Sequence, residues 1–191
     1  NTQAINSPDF LEKASRIFGS QAIVASIEAK KTDHNKWVAY TDNGREPTNI
    51  DVFDWIKRVE ELGAGEIMLT SIDKEGTKTG LDIDLNKKAA EFCSIPLIVC
   101  GGAGNKEHCL DSMIIEGIDS IAIASVLHYE IETIKDIEVD QATNSYTFCG
   151  NLKRSIDTIQ WLQPKAKSEN QFGFLFFEEA LTFVADLLGV F

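Results

Sequence analysis

Two loops and two carboxylates hold the residues best suited to chemistry. The stretch TSIDKEGTKTG, residues 70–80, follows the apolar run Glu66-Ile67-Met68-Leu69 and gathers glycines, hydroxyls, lysines and acids into eleven residues. A second loop, Gly101-Gly102-Ala103-Gly104, follows another apolar run. Without Cβ atoms, glycine backbone N–H groups can approach an anion closely. A short helical turn after Ala124-Ser125 would aim further N–H groups at the same place. The glycine run serves equally well as a tight turn, because glycine punctuates many turns. Glu28 and Glu75 each follow a strand-like run. Two carboxylates over one sheet end can divide general-acid and general-base work, or they are caps and solvated charges of the kind common in such loops. Thr77 and Lys78 can donate to a phosphate or only hydrogen-bond their own turn.

Metal and cofactor chemistry has no comparable signal, and neither group is expected. His34, His108 and His128 are scattered, with no partner at metal-ligand spacing. Cys93, Cys100, Cys109 and Cys149 form no C-x-x-C pair. Scattered thiols without a disulfide framework point to a reduced, cytoplasmic setting, and no secretory signal is visible. The net charge of −12 argues against a nucleic-acid surface, which needs clustered Lys and Arg. It leaves room for a small phosphorylated ligand held by backbone N–H groups. The length of 191 residues suits one domain, or one domain plus an appendage. The chain opens on Asn1 without an initiator methionine, as a fragment or a processed product would.

The elements that must position these residues follow from periodicity. Apolar runs of strand length occupy residues 21–27, 66–72, 95–100 and 120–126. Each is nearly continuous, which suits a parallel sheet covered on both faces. Helical periodicity marks residues 8–18, 50–62, 84–92 and 106–116, and Gly19, Gly63 and Gly117 follow three of these segments as helix-ending glycines do. The alternation of helix and strand gives a parallel α/β sheet, either open or part of a (β/α)8 barrel. In both, ligands sit beyond the C-terminal strand ends. That places Glu28, Glu75, the glycine run and Ser125 on one side of the sheet.

Five segments, in order, resemble one family. They are the opening NT, FGSQAIVASIEAK (18–30), GAGEIMLTSIDKEGTKTGLD (63–82), IPLIVCGGAGNKEH (95–108) and IAIASVLHYE (121–130). Together they resemble the cyclase subunit of imidazole glycerol phosphate synthase, the HisF family, over about residues 1–130. The resemblance implies a (β/α)8 barrel of which this chain holds strands five to eight, a C-terminal half. It implies a glutaminase partner whose ammonia travels along the barrel axis to a bisphosphorylated aminoimidazole-carboxamide ribonucleotide. The products are imidazole glycerol phosphate and an aminoimidazole carboxamide ribotide. Of the family's two acid/base carboxylates, the one at the first strand end has no counterpart here, and Glu28 matches the other. Gly76, Thr77, Gly102, Ala124 and Ser125 would hold one substrate phosphate, and Asn1 and Thr2 would face the other. Glu75 would stand in the substrate-site loop, and Glu66 near the ammonia entrance. A half barrel with exposed sheet edges is also expected to self-associate.

Two features depart from that pattern. The histidine-pathway enzymes usually carry Asp where this chain has Glu28 and Glu75. One extra methylene matters where about 1 Å of misplacement costs roughly 100-fold. SIEAKK (26–31) and YTDNGRE (40–46) look more like a paralogous branch thought to supply ammonia for amidation of a nucleotide sugar in surface-polysaccharide synthesis. A third reading is a half barrel that binds phosphate and catalyses nothing. Beyond residue 130 the resemblance stops. Residues 151–164 read as an amphipathic helix. Residues 172–191 have membrane-span length, but three acids there would each be costly in a bilayer. A helix packed on the half barrel or a partner is the favoured reading, beside a fused or frameshifted addition.

Overall fold

In a computed structural model of the chain, residues 1–133 and Ile137 are described. The expectations for residues 151–164 and 172–191 lie outside them. Two helices, α1 (Thr2–Asn6) and α2 (Asp9–Phe18), lead into β1 (Val24–Asp33), β2 (Lys36–Thr41) and β3 (Glu46–Asp51). Then come α3 (Val52–Glu61), β4 (Glu66–Ser71), α4 (Ile83–Phe92), β5 (Leu97–Cys100), α5 (Lys106–Met113), β6 (Ser120–Ala122) and α6 (Ser125–His128). The strands form one sheet in the order β3-β2-β1-β4-β5-β6.

Four of these strands, β1, β4, β5 and β6, pair in parallel and in chain order. Crossovers of one hand with no reversal of strand order put their helices on one face. Burial records that asymmetry. Ile27, Leu69, Val99 and Ile121 lie side by side across the sheet and are fully buried. Ala25, Ile67 and Leu97 form a second buried row. Helix α3 brings Val52, Phe53, Trp55, Ile56 and Val59 into the core, and α4 brings Leu85 and Ala89. Burying each large apolar side chain contributes about 1.5–3 kcal/mol.

The alternate residues form rows on the opposite face: Ser26, Met68, Ile98 and Ser120, then Glu28, Thr70, Cys100 and Ala122. All of these are only partly buried. Apolar runs therefore face both ways, as read from the sequence, but among the described residues only one face is fully covered. A singly wound sheet of this kind is the arrangement from which a (β/α)8 barrel builds its wall, where side chains of the inner face pack on one another.

Three strand and helix boundaries differ from the sequence reading. The first strand spans Val24–Asp33, and residues 20–22 form a 3-10 turn. The last strand is only Ser120–Ala122, because the chain turns into α6 at Ser125. Helix α3 starts at Val52, since the Asp51 carboxylate accepts from Phe53 N–H at 2.9 Å and from Asp54 N–H at 3.4 Å and so caps it.

Strict helix–strand alternation also fails, because an antiparallel excursion intervenes between β1 and α3. β1 runs past Ala29, its last residue paired to β4, and turns at His34-Asn35 into β2. β2 then turns through Asp42-Asn43-Gly44, all at positive φ, into β3. Asn, Asp and Gly are the residues that tolerate that conformation.

Asp82 ties this excursion to the core. Its Oδ1 accepts from Leu85 N–H at 3.1 Å and caps α4. Its Oδ2 accepts from Trp37 Nε1 on β2 and from Ser71 Oγ at the end of β4, each at 3.3 Å. Both Trp37 and Asp82 are buried. Asp82→Ala is expected to lower unfolding free energy by about 1–3 kcal/mol, since a cap is lost and a buried indole donor left unpaired. Asp82→Asn should retain most of it. Urea unfolding of the three proteins measures this, and equal losses in both variants would contradict it.

Candidate functional site

Glu28 and Glu75 lie in separate clusters at the end of the sheet. Glu28 does not follow the strand; it lies inside β1, because β1 continues into the antiparallel excursion. It is nonetheless level with the end of the parallel sheet, since it pairs with Thr70 and Thr70 pairs with Cys100. The turn between β2 and β3 folds back over it, and Glu28 Oε2 accepts from Gly44 N–H at 2.9 Å. Asn1 and Thr2 lean on the same excursion. Asn1 Nδ2 donates to the Tyr40 carbonyl, and Thr2 Oγ1 accepts from Asp42 N–H at 2.8 Å. Asn1, Thr2 and Glu28 therefore form one cluster.

Glu75 belongs to a second cluster, two strands across. Its Oε2 lies 4.0 Å from Cys100 Sγ at the end of β5. The residue is exposed overall, yet partial burial of the carboxyl group raises its pKa. Burial, and then the Glu75 charge, pushes the Cys100 thiol up to about 11, so it stays protonated at neutral pH. β1 and β5 are two inter-strand steps apart, about 10 Å. Among the described residues no hydrogen bond joins Glu28 to Glu75. They share one end of the sheet without forming a dyad.

The two glycine-bearing loops cross in direct backbone contact. Gly80 N–H donates to the Gly102 carbonyl at 2.8 Å. A Cβ on Gly102 would stand 2.2 Å from the Gly80 carbonyl oxygen, and one on Gly104 2.2 Å from that of Lys78. Glycine is required at both crossings by space alone. Gly76 faces open space. Thr77 donates its N–H to the Lys74 carbonyl at 3.0 Å and its hydroxyl to the same oxygen at 2.8 Å, with Thr79 Oγ1 2.9 Å from Thr77 Oγ1. In this state Thr77 closes its own turn. Lys78 Nζ lies 3.5 Å from the centre of the Tyr129 ring, so this loop also reaches the end of α6, which starts after Ala124.

Gly76, Thr77, Gly102, Ala124 and Ser125 thus sit on three neighbouring segments at the C-terminal strand ends. Glu66 is at the other end of β4, paired with Val24 and four residues before Thr70, about 13 Å away along the strand.

Some contacts had no place in the sequence reading. Gly44 N–H on Glu28 was foreshadowed only by the Asn43-Gly44 turn pair. His108 lies in the first turn of α5, and its Nδ1 accepts from Gly104 N–H at 3.1 Å. His34 lies in an exposed turn. Among the described residues no group of three His, Cys, Asp or Glu side chains could hold a metal ion, and no helix is long and apolar enough to cross a membrane.

The family model described as histidine biosynthesis protein matches residues 1–133. The chain belongs to that family. Its enzymes are (β/α)8 barrels of histidine biosynthesis, isomerases and cyclases alike, so the half-open sheet face corresponds to barrel interior. The match ends close to where the loop resemblance ends.

The Glu75 shift has a measurable sign. A carboxyl group whose folded pKa is raised above 4.5 contributes stability at pH values below 4.5. That contribution is lost as pH rises through the folded value. Glu75→Gln removes the dependence. Relative to Glu75→Gln, the unaltered protein should lose stability as pH rises from 4 toward neutrality, read from urea midpoints across that range. Parallel profiles would mean that the carboxylate is solvated.

Proposed function

We propose that this chain supplies the phosphate-binding half of an ammonia-dependent cyclase, the cyclase subunit of imidazole glycerol phosphate synthase. The observation that carries this reading is the convergence of Glu28 and both glycine-bearing loops on one end of the sheet, with Glu66 at the other. The long loop motifs support the cyclase branch over the isomerase branch. Ammonia from a glutaminase partner would enter near Glu66 and travel along the inner face. One substrate phosphate would rest on Gly76, Thr77, Gly102, Ala124 and Ser125, and the other near Asn1 and Thr2. Two phosphate anchors at opposite ends of an extended substrate fix its reacting centre between them. Glu28 would then carry protons during lysis and ring closure. Four parallel strands with one half-open face also support assembly with further βα units or a second copy.

A second reading has its own observation. SIEAKK and YTDNGRE, the two segments that look like the sugar-amidation branch, meet in space, because Gly44 of the second holds Glu28 of the first. There the product would be an amidated nucleotide sugar, made with the same ammonia supply.

Two measurements separate these. Ammonium-dependent turnover of the bisphosphorylated ribonucleotide is expected from the complete barrel, with Glu28→Gln lowering kcat by about 10²–10⁴-fold. No turnover by an intact, folded barrel would sink the cyclase reading, and phosphate binding without turnover would leave a binding module. Growth of a histidine auxotroph on the unaltered gene is expected from the first reading and contradicts the second.

A further inference from the structure

We propose that His108 is a positioning residue for the phosphate site, holding the glycine run in its anion-binding shape from behind. The inference rests on the phosphate reading above. Its own basis is a pin that joins three segments.

His108 is fixed at its backbone, where its N–H donates to Asn105 Oδ1 at 2.9 Å in the first turn of α5. Its ring then turns back toward the preceding loop, and Nδ1 accepts from Gly104 N–H at 3.1 Å. The opposite edge of the ring faces the other loop, with Cδ2 and Nε2 3.5 and 3.7 Å from where a Gly80 Cβ would stand. The imidazole therefore lies against both loops at their crossing, close to the Gly80 N–H to Gly102 carbonyl bond.

The tautomer follows from the donor. A backbone N–H can only donate, so Nδ1 carries no proton, and the neutral ring holds its proton on Nε2. Gly104 N–H is thereby committed to α5. In this proposal the N–H groups of Gly102 and Ala103 are the ones left for an anion. Glycine at positive φ, as at Gly101 and Gly102, has little intrinsic preference for one conformation. An external acceptor on the next glycine selects one. His108 never touches the ligand; it sets the direction of groups that do.

The test uses inorganic phosphate as probe, with the tautomer read separately. Nitrogen-15 NMR of the unaltered protein should show His108 protonated at Nε2, and an Nδ1-protonated ring overturns the inference. His108→Asn keeps an acceptor near the Nδ1 position, and His108→Leu removes it. Phosphate affinity should fall about tenfold or more in His108→Leu and stay within about threefold in His108→Asn, both variants keeping their circular dichroism. Where turnover is measured, the loss in His108→Leu should fall on KM rather than kcat. If the unaltered protein binds no phosphate, the phosphate reading fails and the inference with it. If it binds and His108→Leu binds as tightly, the inference alone fails. If His108→Leu loses its fold, His108→Asn decides: affinity more than about threefold below that of the unaltered protein overturns the proposal.

Discussion

In-register parallel pairing of β1, β4, β5 and β6 is the constraint on which the rest depends. Residues in register across parallel strands share a face, and alternate residues take opposite faces. One choice of register therefore sends Ile27, Leu69, Val99 and Ile121 to the helices and Glu28, Thr70, Cys100 and Ala122 to the other side. A slip of one residue in any strand would exchange a core side chain for one of the opposite face. Core packing and site assembly are thus a single requirement, and the hydrophobic term that buries the first row also aligns the second.

The antiparallel excursion lies outside that parallel core, yet the site leans on it. It supplies the Gly44 N–H that holds Glu28 and the surfaces against which Asn1 and Thr2 rest. Isolated hairpins are marginal in water. This one is held by the buried Trp37, its bond to Asp82, and the Lys31 and Lys88 ammonium groups 5.0 and 5.6 Å from the Trp37 ring. Because Asp82 also caps α4 and binds Ser71, one carboxylate joins the excursion, the end of β4 and the start of α4.

Much of this was legible in the residues. Strands β4 and β5 and helices α2, α4 and α5 fall close to where apolar periodicity puts them, since their patterns arise from burial, which sequence records directly. The excursion falls outside that reading, because β3 is polar, with Pro47, and KWVAYT alternates over only six residues; the turn pairs His34-Asn35 and Asn43-Gly44 are its other signal. The strand ends of β1 and β6 were misjudged for a related reason. An apolar run does not say where pairing to a neighbour stops. The site residues were found by type, but their grouping into a Glu28 cluster and a Glu75 cluster came from strand order, which no local pattern encodes.

That grouping bears on the longer acids at positions 28 and 75. Inside β1, the Glu28 Cα is fixed by pairing on both sides, with Thr70 in one direction and Tyr40 in the other. Its extra methylene cannot be absorbed by a backbone shift, so the carboxylate must project further from the sheet, and there it meets Gly44. Glu75 stands in a loop that Gly80, Gly102 and Gly104 clamp by backbone contact, and its carboxylate turns to Cys100. Both longer acids have thus acquired partners within their own cluster. The reach of each carboxylate is therefore set by the loop that holds its partner, the β2–β3 turn for Glu28 and the glycine crossing for Glu75.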